Sequence, residues 1–387
     1  MGLELNPREM LEKLVSFPSV SSASNLPIID FIADYLMSHG VKSHRVFDET
    51  GQKANLYAHI GPQVDGGVIL SGHTDVVPVD GQNWSSDPFT VEERDGKLYG
   101  RGTCDMKGFD ALALAAVPAM QSANLKRPIQ IAMSYDEEVG CIGAPFMIDK
   151  MREHLPKAAA VIVGEPSMMN VVTAHKGAVG METHVHGFEV HSSLMHRGVS
   201  ATMTAARLIE WLRLRTMENM AATPNDIDAM FEPPFTTLHV GVLQGGTAGN
   251  ITAKDCTFST DIRCPASQDA QDWYAKYMDY VREIQAEIQE IRPEAKIVVT
   301  PRMANPALKP ETDGASETLV RALTGDNGTH VVSYGTEGGQ FQERGYSVVV
   351  CGPGSIEQAH QPDEFISIDQ FKAGAAFVDR LISHLST

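Results

Sequence analysis

The chain has 387 residues, 43% of them apolar, and 31 lysines and arginines face 49 aspartates and glutamates for a formal net charge of −18. That length exceeds one ordinary hydrophobic core and calls for two domains or an insertion, while the acidity opposes any broad grip on nucleic acid or anionic lipid. Five cysteines, odd in number and without a C-x-x-C pair, argue against a disulfide framework or a thiolate zinc site and suit a reducing cytoplasm.

The N-terminal stretch MGLELNPREM carries acids where an export signal needs bases and an apolar run, and Asn6 breaks the myristoylation pattern, so neither signal is expected. Asn6 as cap, Pro7 at the first helical position and Glu9 in the first turn predict a helix whose apolar face is Met10, Leu11, Leu14 and Val15. A second helix runs from Pro27 to His39 and stops at Gly40. The stretches VKSHRVF, NLYAHI and GGVILSGH then read as strands bounded by Gly and Asp. KGFDALALAAVPAM predicts one helix, IQIAMSY a strand, GAPFMIDKMREH a helix and AAAVIVGEP a strand. The apolar run from Ala111 to Met120 is half a membrane span and contains Pro118, so no spanning helix is expected. Apolar strands alternating with helices imply an α/β fold, a mostly parallel sheet covered on both faces.

After Gly177 the pattern changes. Strands at 179–185, 237–243, 257–262 and 297–300, with helices at 201–215 and 269–291, follow the βαββαβ order of a ferredoxin-like α+β domain. HVVSY and YSVVVCGPG are short enough to rejoin the first sheet. The expected division is therefore residues 1–177 and 304–387 for a catalytic metal-binding domain, interrupted by 178–303. Trp273, Tyr277, Tyr280, Val281 and Ile284 recur at helical spacing and read as core.

Ligands of such sheets gather at the carboxyl ends of the strands, where this chain places His73 and Asp75, Glu137 and Glu138, Glu165, and the turn carrying His360; Asp105 precedes a helix. Any one of these is most simply a turn or a cap. Together they form a set of carboxylates that would repel one another unless protonated or neutralised by divalent cations. Imidazole and oxygen donors without thiolate suit zinc, cobalt or manganese, and two ions about 3.5–4 Å apart sharing one carboxylate would activate a water. Asp105 is the bridging candidate. Asp75, two residues beyond His73, is placed to accept the imidazole's other N–H. Adjacent side chains diverge, so Glu138 is assigned to metal and Glu137 to general base and then acid.

SGHTDVVP, GRGTCDMKG, DEEVG, GEP and GPGSIEQAHQPDEF, occurring in this order, resemble the dinuclear zinc peptidase and deacylase family that includes aminoacylases, desuccinylases and glutamate carboxypeptidases. Within it, the last stretch and YGTEGGQFQERG are most similar to acetylornithine deacetylases, which implies removal of acetate from N2-acetyl-L-ornithine in arginine biosynthesis. The resemblance implies two Zn2+ ions, or Co2+, one held by His73, Asp105 and Glu165 and the other by Asp105, Glu138 and His360, with Glu137 as catalytic acid and base. It also implies that the inserted domain is a lid through which a homodimer forms, and that the Asp105–Met106 peptide is cis. Cys104 stands where relatives often have Ser or Ala and adds a site of oxidation.

In HGFEVHSSLMHRGVSA, His191 matches the histidine that reaches a partner subunit's site and stabilises an oxyanion, with His196 as competitor because the stretch between them departs from the family pattern. Asn250 and Arg263 match residues that contact a substrate carboxylate, for which a planar guanidinium is suited; a surface salt bridge explains Arg263 equally well. Gly352, Gly354 and Ser355 are candidates to offer backbone N–H groups to the same carboxylate, and Glu337 to meet a substrate ammonium. His184 and His186 alternate on one strand and are expected to face solvent. Other activities on this scaffold are succinyl-diaminopimelate desuccinylase, another acyl-amino-acid amidase or dipeptidase, or a non-catalytic metal- or solute-binding protein. No G-x-S-x-G, P-loop or dinucleotide motif follows a strand.

Overall fold

A computed structural model of the chain describes residues 4–387; the first three, part of the stretch used to judge export and lipid signals, lie outside them. The chain divides into two compact units, one of residues 1–174, 310–330 and 336–387, the other of 175–309 and 331–335.

The first unit is built on an eight-stranded sheet in the order Ser43–Phe47, Ala54–Ile60, Ile129–Ser134, Gly67–His73, Ala158–Pro166, Val348–Gly352, Val172–His175 and His330–Val332. The four central strands, Ile129–Ser134 through Val348–Gly352, pair in parallel, and the flanking strands Ala54–Ile60 and Val172–His175 pair with them antiparallel. Apart from Ala159 the central four are buried, which is why their sequences are apolar runs rather than alternations. The helix Pro7–Val15 carries the expected capping box, Asn6 accepting from the Glu9 backbone and Glu9 from the Asn6 backbone, and buries Met10, Leu11, Leu14 and Val15.

KGFDALALAAVPAM is not one helix. Helix Lys107–Ala115 ends at Ala116 and a second turn of helix starts at Val117 with Pro118 in its first positions. Proline lacks an N–H and clashes with the preceding turn, so the chain restarts rather than continues. A small antiparallel sheet of Glu92–Arg94, Lys97–Tyr99 and Phe365–Ser367 was not foreseen; strands of three residues leave too little alternation to read.

The second unit is a four-stranded antiparallel sheet in the order Thr237–Gly245, Asp255–Cys264, Gly177–His186, Lys296–Asn305, with helices Ala201–Ala221 and Ala270–Ile291. Its core is separate from that of the first unit and includes Val179, Met181, Val185, Leu208, Leu212, Trp273, Tyr277, Val281 and Ile284. Along Gly177–His186, Met181, Thr183 and Val185 are buried while Glu182, His184 and His186 face the opposite side. The α/β unit with an inserted antiparallel α+β unit is the fold class expected. Its limits lie a few residues outside 178–303, because the strands continue past the apolar stretches that announced them; HVVSY supplies the last strand of the first sheet, as expected, although Val331–Gly335 groups with the insertion by contacts.

Candidate functional site

Four parallel strands standing side by side present their carboxyl ends along one edge. His73 closes Gly67–His73, Glu137 and Glu138 follow Ile129–Ser134, Glu165 lies at the end of Ala158–Pro166, and His360 is in the loop after Val348–Gly352. Asp105 enters just before helix Lys107–Ala115, through a cis Asp105–Met106 peptide. This helix presses on the sheet immediately beneath the edge. A Cβ at Gly72 would collide with the Asp110 carboxylate and one at Gly164 with the Phe109 ring, so the residues preceding His73 and Glu165 have no room for a side chain.

The structure brings these residues together. His73 Nε2 lies 3.1 Å from Asp105 Oδ1, 3.5 Å from Glu165 Oε1 and 3.9 Å from Glu137 Oε2. His360 Nε2 lies 3.3 Å from the other Asp105 oxygen, Oδ2, and 2.9 Å from Glu138 Oε2. Asp105 thus turns one oxygen toward each imidazole. Donor atoms of His73, Asp105 and Glu138, and of His73, Glu137 and Glu165, each lie within 4.8 Å of one another. The second set brings Glu137 as near to His73 as a ligand would be, so distance alone does not separate its role from that of Glu165.

Electrostatics show what the cluster lacks. Burial pushes Glu137 up to about 8 and Glu138 to about 7, the neighbouring carboxylates adding to it, and raises Glu165 well above the usual range. His360 is raised to about 10 by Asp105 and Glu138. Burial opposes charge on His73 and Asp105, but their mutual hydrogen bond and, for Asp105, the one from His360 prevail, raising His73 and lowering Asp105. Without a cation, Glu137, Glu138, Glu165 and the two imidazoles are pushed toward forms that hold a proton, which each would release beside a cation. The donor set therefore fits divalent metal.

Asp75 is arranged differently from the expectation. His73 Nδ1 meets the backbone carbonyl of Asp75 at 2.9 Å, while the carboxylate stands 3.6 Å away. Its oxygens instead accept the Ser21 hydroxyl at 2.7 Å and the backbone N–H groups of Glu137 at 3.2 Å and Glu138 at 3.3 Å. Asp75 holds the turn that aims both glutamates. That turn is strained, since Asp136 takes φ +56, as His360 takes φ +63; non-glycine residues adopt this region rarely and concentrate there at functional sites.

The anion cradle expected at Gly352, Gly354 and Ser355 is already occupied. Gly352 N–H donates to Ser167 Oγ, Gly354 N–H to Gln370 Oε1 and Ser355 N–H to Gln358 Oε1. Glu337 is 1% exposed and accepts the hydroxyls of Ser71 and Ser134, so it lies beneath the edge instead of opening to solvent. In the inserted unit His191 and His196 are both exposed, His191 Nδ1 lies 2.8 Å from Ser193 Oγ, and Arg263 pairs with Asp261 at 2.9 Å. The Asn250 carbonyl accepts the Ser192 N–H.

Glu364 was overlooked. It is 1% exposed; one oxygen accepts the backbone N–H groups of Cys104 at 2.9 Å and Asp105 at 3.0 Å, and the other takes the buried Arg101 guanidinium at 2.7 Å. Arg101 in turn donates to Gln82 Oε1, and Gln82 donates to the His360 carbonyl. The available signal was a single acid four residues after His360.

Acids and imidazoles gathered at the carboxyl edge of a parallel sheet are the donor set of a metal-dependent hydrolase. Residues 69–384 match Peptidase family M20/M25/M40, and the chain belongs to that family. It is 35% identical to the acetylornithine deacetylase of Myxococcus xanthus, the alignment covering 97% of each. Its fold is similar to that of an M20 family metallo-carboxypeptidase from Sulfolobus solfataricus, at 17% identity and TM-score 0.78 over 98% of this chain and 99% of that one. It is also similar to that of a dinuclear metal binding peptidase from Bacillus subtilis, at 14% identity and TM-score 0.62 over 97% and 96%.

Proposed function

We propose that the chain is an acetylornithine deacetylase, hydrolysing N2-acetyl-L-ornithine to L-ornithine and acetate. Similarity along almost the whole length to a protein of that name carries the choice of substrate. Two ions are proposed, Zn2+ or Co2+, one with His73, Asp105 and Glu165 and one with Asp105, Glu138 and His360. Asp105 facing both imidazoles supports the bridging role. When bound, the ions supply positive charge that acidifies a water and polarises the amide carbonyl.

The side chains then divide the work. Glu137 takes a proton from the attacking water as its oxygen bonds to the carbonyl carbon. It gives that proton to the amide nitrogen as the C–N bond breaks, releasing amine and acetate. Asp75 keeps Glu137 aimed by holding its backbone N–H. His191 is proposed to stabilise the oxyanion in a partner's site, and Arg263 with Asn250 to take the substrate carboxylate.

The dimer proposed through the inserted unit is supported by its edge strand Thr237–Gly245, where Val242 is 56% and Leu243 57% exposed. Val242→Glu together with Leu243→Lys should yield monomers in sedimentation; an unchanged oligomer would reject that edge. Five buried cysteines, none of them in a disulfide, support a cytoplasmic location, and no described helix is long and apolar enough to cross a membrane. The deciding experiment is a panel of acylated amino acids and dipeptides with purified metal-loaded protein. Acetylornithine should lead in kcat/KM, and a tenfold preference for a succinylated substrate or a dipeptide would overturn the assignment.

A further inference from the structure

The inserted unit holds a second cluster of metal-binding side chains that none of the chemistry above uses. His184 and His186 alternate with buried Thr183 and Val185, so both imidazoles rise from the sheet face opposite the helices. On the neighbouring antiparallel strand, Asp255 sits directly across from His186 and reaches both rings. Its Oδ1 lies 2.9 Å from His184 Nε2 and 3.2 Å from His186 Nδ1, the ring centroids are 3.7 Å apart, and one donor atom from each residue falls within 4.8 Å of the others.

We propose that His184, His186 and Asp255 form a third metal site, taking one zinc-class divalent cation. Two imidazoles and one carboxylate, with no thiolate, are donors that zinc and its neighbours accept, and three protein ligands leave positions for water. Asp255 and both histidines are partly exposed, so water reaches those positions without rearrangement. Metal requires neutral imidazole. Lys296, across from His186 on the other side, is the one cation that opposes the ion among the residues paired directly opposite the two histidines, His184 facing Thr257 and Val298. Its charge on an exposed face is screened by water and salt. An ion here would join neighbouring strands of the insertion through three side chains.

The test compares zinc content in the whole chain and in two variants, His184→Ala with His186→Ala, and Asp255→Asn, after dialysis against micromolar free zinc. The parent should carry one more equivalent per chain than either variant, and loss of a ligand should weaken that equivalent by roughly tenfold or more. Amidase activity should be the same in all three. Equal zinc counts, or a difference confined to millimolar zinc, would overturn the proposal. Because all three proteins share the sheet-edge site, an error in its assignment changes every count alike and leaves the difference untouched. Asp255→Asn keeps the size of an exposed side chain and so separates loss of metal from any folding defect of the double replacement, and a melting temperature that zinc raises in the parent but not in Asp255→Asn gives the same answer independently.

Discussion

Removing the Glu364 carboxylate tests how the bridging aspartate is held. Glu364→Ala would leave the Arg101 guanidinium, itself 1% exposed, without the charged partner it has among the described residues, and would free the backbone N–H groups of Cys104 and Asp105 in the interior. Breaking a buried ion pair by deleting one partner costs about 3–5 kcal/mol, because the surviving charge stays buried. Arg101 retains Gln82 and the face of Trp84 at 5.0 Å, which places the loss toward the lower figure. At about 2–4 °C per kcal/mol for a unit of this size, the melting temperature should fall by on the order of 10 °C. Metal affinity should fall by roughly 10- to 100-fold, since Asp105 loses the contact that fixes its backbone. Replacing both partners, Arg101→Met with Glu364→Leu, should be less destabilising than Glu364→Ala alone. Thermal unfolding and elemental analysis measure both effects. A Glu364→Ala protein melting within about 2 °C of the parent, on the same conversion, would refute the reasoning.

Glu137→Ala should retain its metal and lose roughly 10²–10⁴ in kcat; turnover near the parent's would reject Glu137 as the proton carrier. Asp75→Asn should lower kcat by about 10- to 100-fold with little change in KM, since the aspartate positions the glutamates without meeting substrate; a KM effect alone would contradict this. Metal binding should release protons. Glu137 at about 8, Glu138 at about 7 and His360 at about 10 are protonated above their unfolded values, so the metal-free fold binds more protons than the unfolded chain and loses stability as pH rises from about 4.5 toward 10. Metal affinity runs the opposite way and rises with pH over the upper part of that range. Calorimetry at pH 7 in buffers of different ionisation enthalpy should register the release, and buffer-independent heats would exclude it.

Which residues the sequence exposed follows from how each is used. His73, Glu138, Glu165 and His360 are polar side chains at the ends of apolar strands or in a turn after one, where packing has no call for them, so their gathering at one sheet edge was legible without coordinates. The partners of Asp75 were not, because a carboxylate accepting backbone N–H groups is satisfied by atoms every residue possesses. The same holds for Glu364, which grips Asp105 through its amide, and for Gly354 and Ser355, whose N–H groups are taken by glutamine side chains. Acceptor geometry decides those cases and residue type does not. The helix broken at Ala116 was a misreading of available information, for Pro118 stood in the pattern and marked a first-turn position.

The sheet-edge donors come from five places in the chain, and His360 is the last, following the whole inserted unit. During synthesis the ribosome must therefore complete the entire inserted unit before the final imidazole emerges. Until then His73, Asp105, Glu137, Glu138 and Glu165 carry an excess of acid with only one base among them. A nascent polypeptide that stops short of His360 would hold five of the six donors and lack the imidazole that faces Glu138 and the second Asp105 oxygen.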